Sequence, residues 1–295
     1  GGKRYFYRNS GLQNQRVLYR IEDDGSETVF LDPNTFSEDG TVSMSGVSFS
    51  KDGSLVAYQL SEGGSDWRSI VIRDVATGDV LESPLVDVKF SGINWLGNDG
   101  FFYSSYDKPD GSELSAKTDQ HKLYFHALGT PQSSDAVIFG STAEQKHRYV
   151  GASVGGDDRY LVISAANSTS GNKLFIKDLQ SESDDLIVVF ADESADGSLL
   201  ESDDAYLLIE TNRDAPKGRV IAVDPQTAGE TDWRDVIPES EHVLNASSSA
   251  GYLFAEYMID AISQVKQYDL NGNLIRDIEL PDLGSASGFG GKKEQ

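Results

Sequence analysis

The sequence predicts an all-β protein, a β-propeller built of four-stranded antiparallel blades. One phrase recurs along it at intervals of about 45–55 residues, a period that stacked β units of this size show. Each repeat holds an acidic or Gly-containing turn, among them Ser50-Lys51-Asp52-Gly53, Gly97-Asn98-Asp99-Gly100, Gly155-Gly156-Asp157-Asp158, Ser202-Asp203-Asp204 and Ser249-Ala250-Gly251. An apolar strand follows each turn: Leu55-Val56-Ala57-Tyr58, Phe101-Phe102-Tyr103, Tyr160-Leu161-Val162-Ile163, Tyr206-Leu207-Leu208-Ile209 and Tyr252-Leu253-Phe254-Ala255. Composition agrees, since 13 Tyr, 13 Phe and 29 Gly suit short strands joined by frequent turns. A single blade cannot bury both faces of its sheet, so the repeats must pack on one another.

Period-two alternation gives four strands to a repeat, lettered A to D from the inside outward. The first group lacks an A strand: Lys3–Asn9, Arg16–Ile21 and Glu27–Leu31 read as B, C and D. The second runs Gly46–Ser50, Leu55–Ser61, Ser69–Asp74 and Asp79–Ser83, and the third Gly92–Leu96, Phe101–Tyr106, Lys122–Ala127 and Ala136–Phe139. The fourth is Val150–Val154, Tyr160–Ala165, Lys173–Asp178 and Leu186–Phe190. The fifth is Ser198–Glu201, Tyr206–Thr211, Arg219–Val223 and Trp233–Ile237, and the sixth Leu244–Ser248, Tyr252–Met258, Val265–Asp269 and Leu274–Ile278. A lone A-like strand remains at Ser285–Gly290, making 24 strands, or six blades. Open backbone groups at a sheet edge invite aggregation, so Ser285–Gly290 is expected to pair with Lys3–Asn9 and close the first blade. The whole is read as one domain over 1–295, its blades at 3–31 plus 285–290, 46–83, 92–139, 150–190, 198–237 and 244–278.

The bulk numbers exclude several classes. Zero Cys removes disulfides, thiolate metal sites and a Cys nucleophile. A formal charge of −23 argues against nucleic acid or an anionic membrane as partner, since both need basic patches. No stretch approaches the 18 or so consecutive apolar residues of a spanning helix, and the first residues carry no signal-peptide core. The chain opens inside a strand, as a segment of something larger would.

Candidate chemistry is sparse. Gly151-Ala152-Ser153-Val154-Gly155 fits G-x-S-x-G, but a nucleophile elbow needs a strand before it and a helix after it. Here an A strand runs into a hairpin turn, so Ser153 is not read as a nucleophile, and no catalytic residue is assigned. His121 and His126 bracket one strand and point to opposite faces, so no metal site is assigned either. No cofactor is implied. Asp23-Asp24, Asp157-Asp158 and Asp203-Asp204 read as turn residues, and Trp67, Trp95 and Trp233 as packing residues. One connection stands out. Asp107–Gln120 is polar, aperiodic and longer than about 12 residues, a length at which loops in compact domains are commonly functional or mobile. It is expected to be the most protease-sensitive connection.

Short segments in order along the chain resemble the propeller domain of the prolyl oligopeptidase family. They include Gly2-Lys3-Arg4-Tyr5-Phe6-Tyr7, Gly11-Leu12-Gln13-Asn14-Gln15-Arg16-Val17-Leu18-Tyr19, Phe30-Leu31-Asp32-Pro33-Asn34 and His121-Lys122-Leu123-Tyr124. His126-Ala127-Leu128-Gly129-Thr130, Thr211-Asn212-Arg213-Asp214-Ala215-Pro216 and Gly288-Phe289-Gly290-Gly291-Lys292-Lys293 complete them. The resemblance implies a cytoplasmic or periplasmic serine peptidase that cleaves short peptides after proline. In that family a seven-bladed propeller covers an α/β-hydrolase domain and excludes folded proteins. This chain departs from the pattern by holding no hydrolase domain and one blade fewer.

On that resemblance the chain is a non-catalytic lid and size filter, not an enzyme by itself. Its partners are a hydrolase domain and short peptides, and it is expected to be a monomer. Phe102 matches a family aromatic that reaches toward the distal end of a bound peptide, and Val162 a comparable position. Asp107, Lys108, Pro109, Asp110, Gly111, Lys117 and Gln120 would belong to a gating loop near the domain interface. The alternative is a free-standing or engineered propeller scaffold that binds peptides without an enzymatic partner. An intrinsic hydrolase is disfavoured, because no triad can be assembled.

Overall fold

Alternating apolar residues and Gly-bearing turns fold this chain into successive antiparallel meanders. A computed structural model describes residues 3–107, 118–202, 205–229 and 232–291. It divides into two compact units, Gly1–His147 and Arg148–Gln295, each carrying three sheets. The sheet composition is that of a six-bladed β-propeller.

In the first unit, β1 (Arg4–Arg8), β2 (Val17–Ile21) and β3 (Glu27–Leu31) form a three-stranded sheet. The second sheet is β4 (Val42–Phe49), β5 (Leu55–Glu62), β6 (Trp67–Asp74) and β7 (Leu85–Lys89). The third is β8 (Asn94–Leu96), β9 (Gly100–Ser105), β10 (Lys122–Ala127) and β11 (Ala136–Phe139). Ile70, Ile72 and Leu85 of the second sheet pack with Trp95, Phe101 and Tyr103 of the third in one buried cluster. Polar side chains reinforce these joints. Gln15 acts as a surrogate strand residue: its Nε2 donates to Val42 O (2.6 Å), and its Oε1 accepts from Met44 N (3.1 Å).

In the second unit, β12 (Tyr149–Val154), β13 (Tyr160–Ala166), β14 (Lys173–Asp178) and β15 (Ile187–Phe190) form the fourth sheet. The fifth holds β16 (Gly197–Ser202), β17 (Leu207–Thr211), β18 (Arg219–Val223) and β19 (Arg234–Ile237). The sixth holds β20 (Leu244–Ser249), β21 (Tyr252–Ile259), β22 (Ile262–Tyr268) and β23 (Leu274–Ile278). Asn172 ties the fourth sheet to the fifth, donating to Gly197 O (3.1 Å) and accepting from Gly197 N (2.8 Å).

A register shift separates the last two strands of all six sheets, β2–β3 included. That shared irregularity identifies β1, β2 and β3 as B, C and D strands, as the sequence pattern predicts.

Two expectations need correction. The described residues form 23 strands, and 285–290 is not among them. Gly284 (φ 153°) and Gly288 (φ 92°) take the segment out of extended geometry. Bonds within the second unit hold its two ends: Ser263 N donates to Gly284 O (2.9 Å), Ser263 Oγ accepts from Ala286 N (2.9 Å), and Gly291 N donates to Ser248 O (2.9 Å). Phe289 stacks on Phe254. Among the described residues of the first unit, β1 pairs with β2 in a sheet of order β1-β2-β3. The second correction concerns the fourth strand of the second sheet, which is Leu85–Lys89 in place of Asp79–Ser83. At 79–83 only an isolated bridge, Arg73 to Val80, is formed.

Candidate functional site

The long connection between β9 and β10 is gathered at its base by four contacts. Tyr106 and His121 stack with ring centroids 4.3 Å apart. Asp107 is paired with Lys122 through Oδ1 at 2.6 Å. Asp119 accepts from Lys146 Nζ (2.7 Å), and Gln120 Nε2 donates to Gly140 O (2.9 Å). His121 is buried, and its Nε2 meets Lys89 O at 2.9 Å. Burial pushes the imidazole down to about 4, so it is neutral at physiological pH and donates to that carbonyl. The geometry fixes where the connection leaves and rejoins the third sheet. Lys108, Pro109, Asp110, Gly111 and Lys117 lie outside the described residues.

At the other end of β10, His126 is buried between two acids. Its Nδ1 lies 2.8 Å from Asp135 Oδ1 and its Nε2 2.7 Å from Glu82 Oε1. Tyr103 Oη donates to the second oxygen of Asp135 (2.8 Å), and Gly129 N to the second oxygen of Glu82 (2.7 Å). Burial, with the Asp135 charge beside it, pushes the Tyr103 phenol far up. Glu82 belongs to the segment before β7, so this network ties the second sheet to the third. The two histidines thus serve separate polar contacts, as their opposite faces require. Among the described residues no group of three or more His, Cys, Asp or Glu could hold a metal ion.

Phe102 is only 2% exposed, pairs in register with Asn94 and Phe125, and packs on the Phe125 ring at 4.9 Å. It stands apart from its neighbours Phe101 and Tyr103, which belong to the cluster between the second and third sheets. Val162 is 3% exposed and packs with Ile176, Leu207 and Ile221 between the fourth and fifth sheets. The two side chains lie in different units, each within packed side chains.

Ser153 lies in β12 opposite Val162. The turn after it closes through Gly155 N to Tyr160 O (2.9 Å) and leads into β13, not into a helix. Asp24 and Asp157 accept from the backbone amides two residues on, Ser26 (2.9 Å) and Arg159 (3.2 Å), as turn residues do. Asp203 and Asp204 lie outside the described residues. Trp67 and Trp95 are buried, and Trp233 packs on Phe190 at 5.2 Å. A cleft of about 360 Å³ in the first unit is lined by Tyr7, Gln15, Arg16, Pro33 and Met44. Sequence reasoning did not find the Glu82–His126–Asp135 network. Its one available signal was a His inside a strand whose neighbours alternate apolar.

Comparison with known proteins places this geometry in a family. The family model "Prolyl oligopeptidase, N-terminal beta-propeller domain" matches residues 1–295. The prolyl endopeptidase of Elizabethkingia meningoseptica is 52% identical over 292 residues, covering 99% of this chain and 41% of that protein. A solved prolyl endopeptidase structure superposes with a TM-score of 0.86 at 34% identity, covering 98% of this chain and 42% of that one. Prolyl oligopeptidase B from Galerina marginata, solved with a 35-residue substrate, superposes at 0.87 with 26% identity, over all of this chain and 44% of that one. The chain belongs to the prolyl oligopeptidase N-terminal β-propeller family. It spans less than half the length of these relatives. No helix among the described residues is long and apolar enough to cross a membrane.

Proposed function

We propose that this chain is the non-catalytic propeller of a prolyl oligopeptidase-type serine peptidase. It acts as a lid and size filter that admits short peptides to an α/β-hydrolase domain carried outside this sequence. The family match over 1–295, set against the 41% of the Elizabethkingia relative that the chain spans, carries this reading. Acyl transfer needs a nucleophile, a base and an oxyanion hole held together, and the G-x-S-x-G serine sits in a hairpin where no elbow is built. The 107–120 connection is the gate in this reading, with Tyr106–His121 and Asp107–Lys122 as its fixed base. Phe102 and Val162 contact the far end of the peptide, and the domain works as a monomer in the cytoplasm or periplasm.

The test is a proline-containing fluorogenic peptide offered to the purified chain, with and without the hydrolase domain. Turnover only with the hydrolase domain is expected. Proline-specific cleavage by the chain alone, surviving Ser153→Ala, would overturn the reading.

A further inference from the structure

Within the first unit, the contacts around His126 do not balance when each group is in its usual form at neutral pH. The imidazole Nδ1 lies 2.8 Å from Asp135 Oδ1 and Nε2 lies 2.7 Å from Glu82 Oε1, and each contact needs one hydrogen between nitrogen and oxygen. A neutral imidazole carries one N–H and an ionised carboxylate carries none, so these three groups bring one hydrogen to two contacts. An empty contact would set a bare nitrogen against a carboxylate oxygen. That arrangement is costly here, because the His126 and Asp135 side chains are only 1% and 2% exposed.

The surrounding groups do not supply the missing hydrogen. Tyr103 Oη gives its own to Asp135 Oδ2 (2.8 Å), and the Gly129 N–H goes to Glu82 Oε2 (2.7 Å). All four carboxylate oxygens therefore accept, and none is left to hold a proton for its own use. Phe101 lies against the imidazole, and Tyr124 stacks on Tyr103. Among the described residues no Lys or Arg is paired with Glu82 or Asp135, so the imidazole is the one cation available to them.

We infer that the joint between the second and third sheets is a latch held by one extra proton, with His126 doubly protonated between two carboxylates. The ring takes the proton because a free imidazole is more basic than a free carboxylate. Its positive charge then offsets one of the two acids, and both contacts become charge-assisted hydrogen bonds. In the unfolded chain an imidazole is mostly neutral above about pH 6.5, so unfolding there releases the proton. A folded state that binds more protons than the unfolded one loses stability as pH rises, and the latch accordingly loosens toward alkaline pH. Strand β10, which the latch fixes at one end, receives the 107–120 connection at the other.

Glu82→Gln supplies the contrast. Its amide nitrogen donates to a bare Nε2 of the ring while its oxygen accepts from Gly129 N, so every contact is filled with His126 neutral. The test uses the full chain and this variant. In a nitrogen-15 NMR spectrum at pH 7.5, the parent should show both ring nitrogens of His126 protonated, and Glu82→Gln one protonated and one bare. Urea unfolding between pH 6 and 8 should separate the two by one proton. The ratio of their unfolding constants, parent over variant, should rise about tenfold for each pH unit. A bare ring nitrogen in the parent at pH 7.5 would overturn the proposal, whether or not the variant folds. A ratio that is flat with pH would overturn it as well.

Discussion

The imidazole of His121 lies 4.3 Å from the ring of Tyr106, and through this stack the two flanks of the 107–120 connection meet. Backbone bonding continues the anchor, since His121 N donates to His147 O at 2.8 Å.

Burial holds His121 neutral down to about pH 4. For a base whose folded pKa is depressed, the stabilisation is complete above the unfolded value near 6.5 and disappears as pH falls toward 4. In an NMR titration, the His121 ring should therefore stay neutral through pH 6.5 and take up its proton near pH 4. His121→Ala should destabilise the domain by about 2 kcal/mol at pH 7 and flatten the acid limb between pH 6.5 and 4. A ring that titrates near 6.5 would contradict the buried contact with Lys89 O.

Removing His126 strands two buried acids. Glu82 and Asp135 would face one another without the ring between them, a situation that costs about 3–5 kcal/mol. Urea unfolding of His126→Leu should show that loss. In a double-mutant cycle, adding Glu82→Gln should restore part of it, because the second change removes an unpaired charge. Strict additivity would mean that the two groups are not coupled.

Gly171 tests the joint between the fourth and fifth sheets. Its φ of +76° suits glycine, and a Cβ there would meet Glu193 O at 1.9 Å. Gly171→Ala should cost about 2–3 kcal/mol from strain and displacement of that carbonyl. Gly129→Ala, with positive φ but open space around it, should cost about 1 kcal/mol. Equal losses in thermal melts would show that the close approach to Glu193 is relieved at no cost.

These tests also mark what the sequence could reveal. Strands such as Tyr160–Ala166 and Leu207–Thr211 are legible because apolar runs follow turns with local chemistry. The error at Asp79–Ser83 has a physical source. Val80 and Leu81 looked like strand residues but are about half exposed, whereas Leu85 and Val88, beyond Pro84, are buried and fill the cluster shared with the third sheet. The strand pattern left 285–290 as a lone inner-strand candidate, but could not show that Ser263 and Ser248 would bond to this stretch. The polar ties were invisible for the same reason. Glu82 and His126 are 44 residues apart, and only the packing of one sheet on the next brings them together. For Phe102 and Val162 the resemblance supplied the proposed peptide contact, and strand alternation could say only that Phe102 faces away from Phe101.

The peptide-contacting roles proposed for Phe102 and Val162 predict a split in kinetics. In a chain joined to its hydrolase domain, Phe102→Ala should raise KM about 5- to 10-fold for peptides reaching beyond the proline, with kcat within about 2-fold. Dipeptide-length substrates should be unaffected. Val162→Ala should act in the same sense and more weakly. Because both side chains are buried, melting curves must accompany the rates. Equal loss on short and long substrates would assign the two residues to packing alone.

The central claim is that this domain admits short peptides and excludes folded proteins. Its most direct test joins the chain to the remaining portion of the Elizabethkingia meningoseptica prolyl endopeptidase, 52% identical over the matched segment, and measures cleavage against substrate length. The account predicts a steep fall in kcat/KM between short proline-containing peptides and folded proteins that expose the same sequence in a loop. Deleting the propeller should make any remaining activity independent of substrate size. Comparable cleavage of peptide and folded protein by the joined chain would contradict it.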